Sequence, residues 1–113
     1  MLHEMKLRTP YFNLIKNGSK IYEIRLNDEK RRLIKIGDTI LFKKEPELQE
    51  TLQTEVVDLK CFDSFASLLK TLPLDKIGFS KENKKDVEAI YHNIYSPENE
   101  KQYGVLAIKI KNI

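Results

Sequence analysis

Residues 17–25, NGSKIYEIR, place three charged side chains of different chemistry close together: Lys20, Glu23 and Arg25. A lysine is a compact donor, a glutamate accepts hydrogen bonds, and an arginine presents a planar fork of donors. Such a set suits a nucleobase edge or a phosphate beside a sugar, because the carboxylate accepts from an exocyclic amine while a cation holds an oxyanion. The alternative is an exposed Glu23–Arg25 ion pair, worth about 0–1 kcal/mol, with Lys20 at the end of a helix.

The elements that must position these side chains are a short helix and the strand after it. Thr9 is a candidate cap, Pro10 fits the first helical turn and Gly18 ends the helix. From residue 21 the apolar period changes to two, which predicts a half-buried strand with Glu23 and Arg25 on the same face. Helix and strand therefore meet at Lys20.

The remaining pattern predicts an α+β fold with residues 1–113 as a single domain. Further strands are expected at 3–8, 39–43, 54–62 and 103–110. Helices are expected at 64–72, capped by Ser64, and from Ser80 to about residue 95, with Val87, Ile90, Tyr91 and Ile94 as its buried stripe. Strands and helices segregate without strict alternation, so an antiparallel sheet curling into a partly closed barrel is favoured.

Composition excludes several classes of protein. The single cysteine, Cys61, has no internal disulfide partner and is expected to be buried in a strand, and the N-terminal segment lacks a secretory signal, so we expect a cytoplasmic protein. No apolar stretch is long enough for a membrane span. His3, His92 and Cys61 show no metal-site spacing, and we expect no metal or cofactor.

Positive charge is concentrated in the first 44 residues, which hold seven lysines and four arginines against five acids, a net charge of +6. All four arginines lie there, beginning with Arg8. Arginine suits phosphates and base edges, so the clustering favours an anionic partner, although a solvated charged loop is an equal reading.

The stretch also matches a known signature, G-x-K-x-x-E-x-R, at Gly18, Lys20, Glu23 and Arg25. This signature and the segments HEMKLRTPYFNLIKNGSK, NDEKRRLIKIGDTILF, LPLDKIGF and YSPENEKQYGVLAIKI resemble small bacterial members of the ASCH domain family, within the PUA-like superfamily. The resemblance covers essentially the whole chain. It implies a β pseudo-barrel of about five to six mostly antiparallel strands flanked by about three helices, with a ligand cleft beside the signature residues.

The function that this resemblance implies first is binding of RNA, or of a nucleotide or nucleoside, by Gly18, Lys20, Glu23 and Arg25. Phosphates would contact Lys30, Arg31, Arg32 and Lys35 of the basic loop, and an unstacked base could stack on a tyrosine, with Tyr22, Tyr103 and Tyr11 as the candidates. The identity of the ligand, a protein partner and the oligomeric state stay open.

Three alternatives follow from the same resemblance. Some relatives are amidohydrolases that deacetylate N4-acetylcytidine with the signature lysine and a threonine nucleophile, whose position Glu23 takes here. Catalysis would then require Glu23 as general base on water and Lys20 polarising the carbonyl, with Asp75 or Glu82 nearest to the family's further acid. Other relatives are linked to RNA cleavage, and ASCH domains fused to coactivators suggest a regulatory protein-interaction module.

Overall fold

The computed structural model describes residues 1–113, which form five strands, four α-helices and two short 3-10 turns. The strands are β1 (Leu2–Leu7), β2 (Tyr22–Leu26), β3 (Thr39–Lys44), β4 (Thr51–Phe62) and β5 (Val105–Asn112). The helices are α1 (Thr9–Lys16), α2 (Phe65–Thr71), α3 (Lys84–Ile94) and α4 (Pro97–Tyr103), and the 3-10 turns are Arg31–Leu33 and Asp75–Ile77. None of the helices has the length and hydropathy of a membrane span.

All five strands belong to one curved sheet in the order β1-β3-β4-β5-β2, which forms a half-barrel. The β1–β3 pair is parallel and the other three pairs are antiparallel. The predicted α+β fold with a partly closed barrel is therefore confirmed. Strands β1 and β2 are the two edges of the sheet, and the gap between them is called the seam below.

The ends of three helices differ from the sequence prediction. The Thr9 hydroxyl does not cap α1 but donates to the Glu45 carbonyl at 2.8 Å. Helix α3 begins after Asn83, whose side chain accepts from the Asp86 N–H, and not at Ser80. A fourth helix follows Ser96, where we expected only a break, because a capping serine before a proline favours a helix start as much as a stop.

Two hydrophobic clusters cover the two faces of the sheet. The helical cluster lies between the sheet and helices α2 and α3 and includes Tyr22, Ile24 and Leu26 of β2. The barrel cluster fills the concave side against α1 and includes Leu106 and Ile108 of β5. Because β5 contributes to both clusters, the centre of the sheet is apolar on both faces. Only at the seam do the edge strands present backbone N–H and C=O groups that no neighbouring strand pairs with.

Candidate functional site

The end of helix α1 turns Lys20 towards the interior. Gly18 adopts a left-handed backbone with φ +86°, which glycine accepts without steric cost, and its N–H donates to the Ile15 carbonyl at 3.1 Å. The Lys20 N–H then donates back to the Leu14 carbonyl at 3.0 Å. The chain reverses within this turn, and Lys20 is left only 4% exposed.

The Lys20 ammonium has protein acceptors for all three of its N–H donors. They are the Tyr22 carbonyl, the Ile77 carbonyl at 3.1 Å and Glu23 Oε1 at 3.2 Å. Burial lowers the pKa of Lys20, and the neighbouring Glu23 carboxylate opposes that shift. Lys20 is therefore an internal cation that fixes Glu23, with no donor left over for a ligand.

Glu23 and Arg25 point into the half-barrel and not into solvent. In the β2–β5 register they lie opposite Ile108 and Leu106, and residues opposite each other share a face of the sheet. Both partners belong to the barrel cluster, and Glu23 is 5% exposed. The prediction of a half-buried strand is wrong for this reason: the curvature of the sheet covers the second face as well.

Arg25 completes a buried cluster of two cations around one carboxylate. Its Nε donates to Glu23 Oε2 at 2.6 Å and its Nη2 to the Lys6 carbonyl at 2.9 Å, across the seam. Burial alone would raise the pKa of Glu23, but the charges of Lys20 and Arg25 and their hydrogen bonds together lower it. The pKa of Arg25 is raised because Glu23 outweighs the effect of burial. An exposed ion pair does not describe this arrangement.

A cavity of about 270 Å³ opens at the seam, directly over this cluster. Edge strand β1, edge strand β2 and helix α3 all contribute to its walls. The lining residues are Lys6, Leu7, Arg8, Tyr11, Lys20, Glu23, Ile24, Arg25, Glu45, Ile77, Phe79, Ile90, Tyr91, Ile94 and Tyr95. The three signature side chains therefore converge on one concave surface.

Three tyrosines give the cavity aromatic walls with polar tips. Tyr91 is 7% exposed and stacks on Phe65 with ring centroids 4.7 Å apart, while Tyr11 packs edge-on against Phe79 at 5.9 Å. Burial raises the pKa of Tyr91 and of Tyr95, so both phenols stay protonated near neutral pH and keep a donor. Walls of this kind suit a flat ligand with polar edges.

Gly78 provides the space in which the Lys20 stem lies, and this predicts a measurable cost of substitution. A Cβ at Gly78 would lie 3.0 Å from Lys20 Cδ, and the backbone there has φ +106°. Two hydrogen bonds and the ion pair with Glu23 hold the Lys20 ammonium in place. We expect Gly78→Ala to lower the free energy of unfolding more than Gly37→Ala. Gly37 has φ +95° but open space around it, so its substitution adds only backbone strain of about 1–2 kcal/mol. Denaturant titration measures both, and equal losses would mean that the stem moves aside freely.

The basic residues predicted to contact nucleic acid lie outside the cavity, in the loop that follows β2. Lys30, Arg32 and Lys35 are exposed, whereas Arg31 is partly buried and pairs with Asp28 at 3.4 Å. The loop continues directly from the strand that bears Glu23 and Arg25. None of its cations lines the cavity, and Lys35 lies towards the start of β1, since its N–H bonds to Asp38, which also pairs with His3.

The other predicted ligand contacts lie in different surroundings. Tyr22 is 6% exposed within the helical cluster, which leaves almost no ring surface for a base. Tyr103 is partly buried, with the Arg32 guanidinium 6.0 Å from its ring centre. Gly18 does not line the cavity, so its role is to turn the backbone. Of the tyrosines considered from sequence, Tyr11 alone is in the cavity wall.

The histidines and the cysteine are dispersed. His3 bonds to Asp38 at 2.8 Å and His92 to Glu100 at 3.0 Å, and neither lines the seam cavity. Cys61 is exposed on β4, contrary to the expectation of a buried residue, because it lies near the end of a strand whose buried residues, Thr54 and Val56, are nearer its middle. No group of three or more His, Cys, Asp or Glu side chains is placed to hold a metal ion.

Sequence reasoning missed several residues of the cavity. Asp75 and Glu82 are absent from its walls, and the second carboxylate is that of Glu45, in the connection after β3. Lys6 and Arg8 also line it and were not proposed. Tyr91 on α3 and Tyr95 directly after it, four residues apart, were a readable signal for the aromatic side of the cavity. The residues from β1 and from the connection after β3 had no such signal, because only closure of the sheet brings them there.

Known proteins similar to this chain were found by family and by structure. The sequence model of the ASCH domain matches residues 5–113. The crystal structure of the hypothetical protein PH0355 is 36% identical, with TM-score 0.89 and 100% of both chains covered. The solution NMR structure of PF0455 from Pyrococcus furiosus is 34% identical, with TM-score 0.80, covering 100% of this chain and 98% of that one.

A solved structure of much lower sequence identity has the same fold. A mutant of the ASCH protein ZmASCH from Zymomonas mobilis matches with TM-score 0.71 at 12% identity, over 98% of this chain and 68% of that one. No curated protein gave a significant match.

Proposed function

Because this chain belongs to the ASCH domain family, which generally has a PUA-like RNA-binding fold, we propose that it binds RNA by holding one unpaired nucleotide in the seam cavity. A free nucleoside or nucleotide would occupy the same place. The observation that carries the proposal is the buried cluster of Lys20, Glu23 and Arg25 at the floor of a cavity with tyrosine walls.

The cluster offers both kinds of hydrogen bond that a base edge requires. A guanidinium has five N–H donors, and the bonds of Arg25 to Glu23 and Lys6 use two of them, which leaves three. Each Glu23 oxygen has one cation as partner and keeps acceptor capacity for an exocyclic amine. Lys20 and Arg25 keep the carboxylate ionised, since they lower its pKa.

The size of the cavity favours a single nucleotide over a folded or duplex segment. Its volume of about 270 Å³ lies just below the roughly 300–1,000 Å³ of ordinary small-molecule pockets. Duplex RNA is read along its grooves and backbone, whereas single-stranded RNA offers bases that can be turned outward and stacked on aromatic rings. Lys30, Arg32 and Lys35, which are exposed in the loop after β2, would then contact neighbouring phosphates.

The test is a titration of short single-stranded RNA oligonucleotides at several salt concentrations, followed by fluorescence anisotropy. We expect binding that weakens with salt, since each phosphate contact contributes about −0.7 to the slope of log K against log salt for a single strand. Arg32→Gln should make the slope shallower by about that amount. A matched RNA duplex should bind more weakly.

Two outcomes would contradict the proposal. One is an affinity that does not depend on salt or does not distinguish single strand from duplex. The other is turnover: deacetylation of N4-acetylcytidine by the wild-type protein, abolished in Lys20→Met, would identify a hydrolase. We expect no turnover, because protein acceptors occupy every N–H donor of Lys20 and none is left to polarise a carbonyl.

A further inference from the structure

The charges that line the seam cavity do not cancel, and they are unevenly placed. Lys20 and Glu23 form a neutral pair at the floor. The remaining charged residues of the lining are Lys6, Arg8 and Arg25 against the single carboxylate of Glu45, a net charge of +2. These four residues lie together at the end of the cavity formed by β1 and the connection after β3.

The arginine at this end is held in place by the protein and still has free donors. Arg25 donates to the Lys6 carbonyl across the seam at 2.9 Å, which fixes its guanidinium beside β1. Tyr95 and then Glu45 lie near enough to contribute to the raised pKa of Arg25, after the larger effects of burial and Glu23. Neither Lys6 nor Arg8 makes an ion pair within the protein, and both are exposed at the rim.

A neutral nucleoside would leave this positive charge uncompensated. The phosphodiester of an RNA nucleotide, with one negative charge, would offset about half of it, and a phosphate monoester, with about −1.5 to −2 charges at neutral pH, would nearly balance it. Arginine pairs of this kind bind phosphate through parallel charge-assisted hydrogen bonds. Helix α1 begins directly after Arg8, so its positive end adds to the same field.

We propose that the ligand of the seam cavity carries a phosphate, bound at the β1 end by Arg25 and Arg8, with Lys6 as a further contact. The base lies against Tyr91 and Tyr95, which line the aromatic wall of the same cavity. This inference rests on the proposed function and deepens it, because it assigns a nucleotide and not a nucleoside to the cavity. Arg8 is then a residue whose contact with the phosphate distinguishes a nucleotide from a nucleoside, and it lies outside the G-x-K-x-x-E-x-R signature.

The experiment compares cytidine with its 5′- and 3′-monophosphates by isothermal titration calorimetry. We expect at least one of the nucleotides to bind about tenfold more tightly than cytidine, because a hydrogen bond between charged groups is added. Arg8→Gln should reduce that ratio to less than about threefold. Lys70→Gln, at an exposed position on α2 outside the cavity, is the matched control and should preserve the ratio.

The possible failures are distinguishable. If cytidine binds and neither phosphate strengthens it, or if Arg8→Gln preserves the ratio, the phosphate site is overturned while the proposed function stands. If cytidine, both nucleotides and single-stranded RNA all fail to bind, the proposed function falls, and this inference falls with it.

Discussion

We expect Glu23→Gln to lower the free energy of unfolding by about 3–5 kcal/mol, the usual cost of removing one partner from a buried ion pair. The substitution keeps the shape of the side chain but removes the only charge between Lys20 and Arg25, which are 3.2 and 2.6 Å from its oxygens. Two cations would then remain in a site where Glu23 itself is 5% exposed. Urea titration of the wild type and the variant measures the loss.

Two control variants make the prediction specific to burial. Glu50 also bridges two cations, Lys16 at 2.7 Å and Lys44 at 3.3 Å, but its side chain is 43% exposed, so Glu50→Gln should cost only about 0–1 kcal/mol. Lys20→Met should cost less than Glu23→Gln, about 1–3 kcal/mol, because the Glu23–Arg25 pair left behind is neutral and only two backbone carbonyls lose their donor. A loss at Glu23 no greater than that at Glu50 would refute the account of a buried charge cluster.

The effect of pH provides a signature that a general packing defect lacks. The folded-state pKa of Glu23 is lowered, so its contribution to stability is complete above the unfolded value of about 4.3 and is lost as the pH falls through the folded value. The difference in stability between the wild type and Glu23→Gln should therefore narrow as the pH is taken below about 4.

The second large effect concerns ligand affinity. We expect Arg25→Ala to weaken binding of a single-stranded RNA or nucleotide by about tenfold to a hundredfold, because it removes charge-assisted hydrogen bonds at the floor of the cavity. Arg25→Lys should recover only part of this loss. An ammonium cannot contact Glu23, the Lys6 carbonyl and a ligand with the geometry of a fork.

Measuring the free energy of unfolding distinguishes a loss of ligand contacts in Arg25→Ala from misfolding of the variant. Arg25→Ala leaves Lys20 and Glu23 as a neutral pair, so its unfolding free energy should fall less than that of Glu23→Gln. Lys70→Ala, a cation removed from an exposed face of α2, should change neither affinity nor stability by a large amount. Full affinity in a folded Arg25→Ala protein would exclude Arg25 from the binding site.

Much of the local structure was readable from the sequence because it depends on neighbours in the chain. Ser64 caps α2 by accepting the Ser67 N–H, as its position before an apolar period predicted. The alternation from residue 21 marked β2, and Glu23 and Arg25 share one face of it as expected. The predicted start of α3 was wrong because both Ser80 and Asn83 are suitable capping residues, and the helix begins after Asn83.

The tertiary structure decided which charged side chains are buried and which residues lie beside them. By itself the sequence determined the type of every main element except α4, the helix-to-strand turn at Gly18 and the order Lys20, Glu23, Arg25, because capping, backbone freedom and side-chain period act over a few residues. It did not show that the charged face of β2 turns inward, or that Lys6, Arg8 and Glu45 join it. Those relations arise because the sheet curves until its two edge strands, far apart in the strand order, face each other across the seam.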